Sequence, residues 1–403
     1  MSEATYDLEG DELKLNASDG LDQIQKRAFG IGGIATLAVL GYGFTAGDAQ
    51  AFYRAWLIGW LWILGIAMGL FALSMLNHQS GGRWGLYMRR IHEAGGRTLI
   101  WVLLLGLPLF SGLDKLYWWA KPNPDYHHNP LKEFLLNPTA YMVVTVGVVL
   151  FWWVLAFLNS RASHVHDQTG DDKTKYWMQA RSAFGLVTYV LTGTVVSVVW
   201  VMSIDKVWFS SLYGVAFVAG HGLSAFSFMI PVMLFLSTRK PFVDKVTPRL
   251  FHDYGKLMLA FTALWAYFTV SQFLIIWSGN LPEEVGWYLE RGKPGWLYVS
   301  IALMVGHFVV PFLILLSQDL KKDGKKLARV ACWLLVMRLF DLYWNVAPTH
   351  FATYGIDPSF SWMEIVAPIG LFGIWLGLLI REIKGRVMLP VGEPYFKEAS
   401  AHG

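Results

Sequence analysis

Ten apolar stretches divide the chain, at about 29–46, 54–76, 98–113, 139–158, 181–203, 211–236, 254–277, 296–316, 327–345 and 363–380, with short polar segments between them. A hydrocarbon core about 30 Å thick takes roughly 20 apolar residues as a helix. Each stretch therefore predicts one membrane-spanning α-helix. No run of strict two-residue alternation competes with that reading. The expected fold is an all-α polytopic membrane protein of about ten transmembrane helices.

Charge fixes the expected orientation. Lys and Arg in or at the edges of alternate connections, counted from the N-terminus, number 24; the intervening connections hold 7, and Lys256 and Arg338 lie inside stretches. An excess of this size predicts cytoplasmic placement for the richer side and for both termini. The basic residues are then a topology signal rather than a nucleic-acid surface, although the pI is near 8.9. Composition agrees, with 55% hydrophobic and 15% charged residues and a mean hydropathy of +0.41. Residues 1–27 hold seven acidic side chains before the first stretch. A cleavable signal would open on a basic segment, so residues 1–28 read as a cytoplasmic, solvated or partner-binding tail. The single cysteine, Cys332, leaves no Cys set for an iron–sulfur cluster, covalent haem or zinc; it reads as a small core residue.

A weak internal symmetry has an offset of four helices. His92-Glu93-Ala94-Gly95-Gly96-Arg97 opens the third stretch and His252-Asp253-Tyr254-Gly255-Lys256 the seventh, while Ala180-Arg181 and Ala328-Arg329 lead into the fifth and ninth. These matches predict two four-helix bundles, residues 54–203 and 204–346, related by a parallel repeat. Peripheral helices at 29–53 and within 347–403 would flank them. The Pro- and aromatic-rich connections 114–138 and 278–295 are expected to pack on each other or on a partner.

Ionisable residues inside spans are costly unless paired or hydrated, so they mark candidate sites. Arg338 and Asp341 share a helix face as i and i+3, as structural glue or as a proton relay. His307, near mid-depth, and His221, between two glycines, suit proton transfer near neutral pH. At the cytoplasmic mouths His92, Glu93, His252, Asp253 and Lys256 form matching polar clusters. Asp114, Asp205 and Glu364 stand half-solvated at the outer ends. Hydroxyls on the fifth and seventh stretches (Tyr189, Thr192 and Thr262 among them) are expected mostly to bond the i−4 carbonyl. A secondary transporter with a midplane charged site is a second reading, and a b-type haem held by His221 and His307 a third.

From the fifth stretch onward specific runs appear. Ser203-Ile204-Asp205-Lys206-Val207-Trp208-Phe209-Ser210-Ser211-Leu212-Tyr213-Gly214 is one; His252-Asp253-Tyr254-Gly255-Lys256-Leu257, Trp265-Ala266-Tyr267 and the run from Ser271 to Glu284 follow. His307-Phe308 with Pro311-Phe312, Arg338 with Asp341-Leu342-Tyr343-Trp344, and upstream His78, Gly81-Gly82-Arg83-Trp84-Gly85, Arg89-Arg90 and Glu93-Ala94 extend the set. Over residues 75–350 the chain resembles the ActF type of NrfD-like membrane subunit of alternative complex III. That complex is a quinol:electron-acceptor oxidoreductase standing in for the cytochrome bc complex in some bacteria. Two departures are Lys206-Val207, where an acidic-Pro turn is usual, and Val199-Trp200, where an Asp-Trp pair often stands; the latter weakens an outer carboxylate role there.

The resemblance implies a bacterial inner-membrane subunit that binds no cofactor itself, with quinol or quinone as the associated substrate. Iron–sulfur clusters and haem c would sit on partners: an iron–sulfur/molybdopterin-like subunit, a multihaem cytochrome c and a paralogous NrfD-like subunit, with a terminal oxidase as a further candidate. It also implies proton translocation through the buried polar residues.

Overall fold

The structure, a computed structural model, describes residues 14–15, 20–45, 48–122, 130–243 and 245–390. Ten long helices account for the apolar stretches: α1 (Leu21–Thr45), α2 (Ala49–Ser80), α3 (Arg89–Leu116), α4 (Pro138–Thr169), α5 (Asp172–Ile204), α6 (Tyr213–Leu236), α7 (Pro248–Gly279), α8 (Trp296–Leu316), α9 (Gly324–Tyr354) and α10 (Met363–Ile383). Among the described residues no strand forms; Lys14 and Val387 make one isolated bridge. The chain is an all-α polytopic membrane protein. "Near face" below denotes the side where α1 begins, "far face" the other.

Most helices outrun their apolar cores because capping residues lie outside them. Asn137 accepts from the Ala140 amide at 2.8 Å ahead of Pro138, and α4 ends on Gly170 at φ 63°. Asp171 accepts the amides of Lys173 and Thr174 to start α5. Asp323 does the same for Lys325 and Lys326 at α9. Each side chain satisfies donors that the first helical turn leaves open. The start of α3 moves far from expectation. It begins at Arg89, so the polar His92–Arg97 segment is helical and buried instead of being a solvated approach.

Packing closes two rings. Helices α2 to α5 contact one another in sequence, and α2 meets α5; α6 to α9 repeat the arrangement, with α6 meeting α9. Contacts of α6 with α2 and α5, and of α9 with α2, join the rings. Helix α2 is therefore buried along nearly its whole length. Close approach at this seam depends on Gly69, where a Cβ would lie 2.0 Å from the His221 carbonyl oxygen. Helix α10 packs on α2 and α3, and α1 lies on α10. There, Gly32 sits so near Gly373 and Ile374 that a Cβ would come within 2.6 Å of backbone.

Three expectations change. Within the predicted 1–28 tail, Leu15 and Leu21 are buried, Lys384 pairs with Asp22, and Gln25 donates to the Gly377 carbonyl at 2.9 Å. Residues 1–13 and 16–19, the greater part of that tail, lie outside the described residues. Cys332 is exposed on the outer side of α9, not in the core. Among the described residues, the far-face connections dock on the turn at 204–213. Trp118 donates to the Asp205 carbonyl at 3.3 Å, Lys132 to that of Lys206 at 3.1 Å, and Trp287 stacks on Trp208 at 4.4 Å between ring centres. The second connection also contains a helix, Pro282–Arg291.

Candidate functional site: a buried polar network in the second bundle

The sequence around α9 reads Leu-Leu-Val-Met-Arg-Leu-Phe-Asp-Leu-Tyr-Trp-Asn, which sets Arg338, Asp341 and Asn345 on one face. The structure turns that face into the second ring. Arg338 is 4% exposed and Asp341 6%, and the guanidinium pairs directly with the carboxylate. Arg338 Nε also donates to Ser224 Oγ on α6 at 3.4 Å. Asn345 Nδ2 donates to the Asp341 carbonyl at 2.7 Å and to Oδ1 at 3.3 Å, and the Tyr213 hydroxyl donates to Asn345 Oδ1 at 3.3 Å. Both charges thus have several partners, the condition under which a buried pair is tolerated. Beside them is a cavity of about 40 Å³ lined by Tyr213, Phe217, Trp265, Arg338, Asp341 and Asn345. That is room on the scale of a water molecule.

Two histidines flank the pair. His221 Nδ1 meets the Tyr189 hydroxyl at 2.7 Å, and its Nε2 is buried without a partner. His307 is fully buried, packs on the Trp265 ring at 4.0 Å, and has no partner at either ring nitrogen. It lies in a π-helical turn, Met304–Val309. Pro311 lacks the amide that would close an ordinary turn onto the His307 carbonyl, and the helix widens there. Arg338 packs on Gly220, the residue before His221.

The two near-face clusters are alike in sequence and unlike in space. His92 is fully buried with both nitrogens unpartnered. Glu93 accepts from Arg90 at 2.7 Å, and Arg90 also donates to Ser163 at 2.9 Å and pairs with Asp167. Arg97 donates to Glu382 on α10 at 2.8 Å. By contrast His252 and Asp253 are half-buried and Lys256 is exposed, with Lys256 3.5 Å from Asp253. Helices α2 and α4 pack over the start of α3, with α10 reaching Arg97 through Glu382, whereas short helices (Gln318–Lys322 and Arg83–Leu86) lie over the start of α7.

At the far face Asp114 pairs with neighbouring Lys115 at 2.7 Å, both half-exposed, and Asp205 caps a turn by accepting the Val207 and Trp208 amides at 2.9 Å. Neither joins the buried network. Glu364 is not half-solvated: it is buried against Arg54 at 2.6 Å, and Arg54 approaches His350 Nδ1 at 3.4 Å. Sequence reading missed Arg54, Arg90, Asp167, His350 and Arg291. A lone Arg in Ala-Phe-Tyr-Arg-Ala-Trp-Leu was the available signal for Arg54. Arg291 is buried beneath the Trp287 ring, with its donors taken by the Trp287, Trp344 and Asn345 carbonyls and the Thr349 hydroxyl. Burial lowers its guanidinium to about 9, which leaves it charged at neutral pH.

As expected, the Thr192 and Thr262 hydroxyls bond carbonyls four residues back, at 2.6 and 2.8 Å. Tyr189 departs from that pattern by reaching His221. No protein-family model and no curated protein matches this chain.

Proposed function

We propose that this chain is a membrane subunit of a quinol:cytochrome c (electron-acceptor) oxidoreductase that has no redox centre of its own and carries protons through its second bundle. The observation behind this reading is the Arg338–Asp341 pair, buried in the membrane-spanning part of α9 and extended on one side by Asn345 and Tyr213. Uncommitted imidazole nitrogens of His307 and His221 lie nearby. Ion pairs kept inside a bilayer mark proton or ion routes more often than lipid-facing glue.

In this reading Asp341 passes a proton by way of the cavity beside it, Arg338 holds the carboxylate in place, and His307 and His221 relay across the middle of the membrane. His92 and Glu93 in the first bundle, with His252, Asp253 and Lys256 in the second, supply the cytoplasmic approach; Asp114 and Asp205 lie at the opposite exit. The chain sits in the bacterial inner membrane with both termini cytoplasmic. Iron–sulfur clusters and haem c belong to partner subunits.

The test is the mass-spectrometric subunit list of the gently solubilised complex. Co-purification with iron–sulfur and multihaem subunits is the expected result. A stable monomer that moves a solute into liposomes would replace this reading with the transporter.

A further inference from the structure

Pro348 stands inside α9, less than one turn beyond Asn345. In a regular helix the amide of residue 348 donates to the carbonyl of residue 344. Proline has no amide, and its ring crowds that carbonyl. In a membrane-spanning helix the freed oxygen needs another donor, because lipid supplies none. Arg291, the last residue of the far-face helix Pro282–Arg291, supplies it. Its Nε donates to the Trp344 carbonyl at 3.2 Å, and Nη2 donates to the Asn345 carbonyl at 3.0 Å and to Thr349 Oγ1 at 3.1 Å. Nη1 turns back to the Trp287 carbonyl at 2.9 Å. The guanidinium lies 3.2 Å from the centre of the Trp287 ring, which packs edge-on against the Trp344 ring at 5.1 Å. Arg291 is thus clamped between its own helix and the Pro348 turn of α9.

We propose that Arg291 is a positioning residue for Asp341: its guanidinium stands in for the amide that Pro348 lacks and holds the turn Trp344–Thr349 so that Asn345 stays on the carboxylate. Asn345 is the link. Its backbone carbonyl accepts from Arg291, its Nδ2 donates to the Asp341 carbonyl and to Asp341 Oδ1, and its Oδ1 accepts from the Tyr213 hydroxyl. Two adjacent helix carbonyls and a hydroxyl call for several donors held in one plane. The guanidinium fork has them and a lysine ammonium does not. The proposal rests on the proton-path reading for what Asp341 does, and not for what Arg291 holds.

The test combines Arg291→Met with Pro348→Ala in the whole purified complex. The first removes every donor of the fork; the second returns an amide to the Trp344 carbonyl. Two quantities are read: amide hydrogen exchange in peptides covering Val346–Tyr354, and protons moved per electron in sealed vesicles. Arg291→Met should exchange about tenfold faster there, as expected for about one lost hydrogen bond to a charged group, and should move fewer protons per electron. Adding Pro348→Ala should bring both back towards the wild type, and Arg291→Lys should fall between. If Arg291→Met does not assemble, Pro348→Ala should restore assembly, and the double variant then supplies both readings. Unchanged exchange in Arg291→Met, or a defect that Pro348→Ala leaves in place, overturns the proposal. Faster exchange with a normal proton ratio also overturns it, since Arg291 then holds the turn without serving Asp341. Asp341→Asn, measured alongside, separates the two readings. An unchanged ratio in that variant removes the path, and exchange rescued by Pro348→Ala still keeps Arg291 on the turn. A lowered ratio in Asp341→Asn with a normal one in Arg291→Met keeps the path and removes the positioning role.

Discussion

The Arg338–Asp341 pair shows which chemistry can be read from sequence and which cannot. Both residues stand out as charges inside an apolar run, and their i, i+3 spacing already puts them on one helix face. Arg54 and Glu364 form an equally buried pair, but they are 310 residues apart and each sits at the edge of its run. Arg90 and Asp167 hide in the same way. A charge at a run's edge is read as solvated unless the fold reveals what covers it. Removing one partner of such a pair strands the other. Arg338→Ala and Arg54→Ala are each expected to cost about 3–5 kcal/mol, seen as loss of assembled complex and a lower midpoint of thermal unfolding. Replacing both partners with apolar residues of similar volume, Arg338→Met with Asp341→Leu, should recover most of that stability without recovering proton coupling. If the double variant couples normally, the pair is structural glue.

Helix positions were legible because apolar length is a strong signal; helix contacts were not, because they depend on small residues and caps. Gly69 and Gly33 look equivalent in sequence. A side chain at Gly69 would strike the His221 carbonyl, while at Gly33 nothing lies within 4 Å. Gly69→Val is therefore expected to lower stability by about 1–3 kcal/mol or more through overpacking, with Gly33→Val near neutral, as measured by thermal unfolding in detergent. Equal effects would mean that α2 and α6 do not cross at Gly69. The fourfold offset predicted matching polar mouths on α3 and α7, yet only the first is buried. A repeat in sequence does not carry the neighbours of each copy with it. In α8, Pro311 alone signalled an irregularity, and it falls where His307 occupies the π turn. Pro311→Ala restores the missing amide and should regularise the turn, moving the His307 ring off Trp265; a higher-resolution comparison of the two proteins would register the shift.

For the molecule as a whole, ten spans followed directly from hydropathy. Docking of the far-face connections on the 204–213 turn did not, since it is set by single contacts such as the Trp208–Trp287 stack. Basic residues at 24 against 7 predict that both termini are cytoplasmic. Reporters fused to either end should be active only in their cytoplasmic form, and an externally active terminal fusion would reverse the membrane sides of every cluster described above. Proton translocation is most directly measured in sealed vesicles carrying the intact complex, as protons moved per electron transferred from quinol. Asp341→Asn should assemble normally and keep most of its quinol oxidation while the proton-to-electron ratio falls. An unchanged ratio in an assembled, active variant would contradict a proton route through the second bundle.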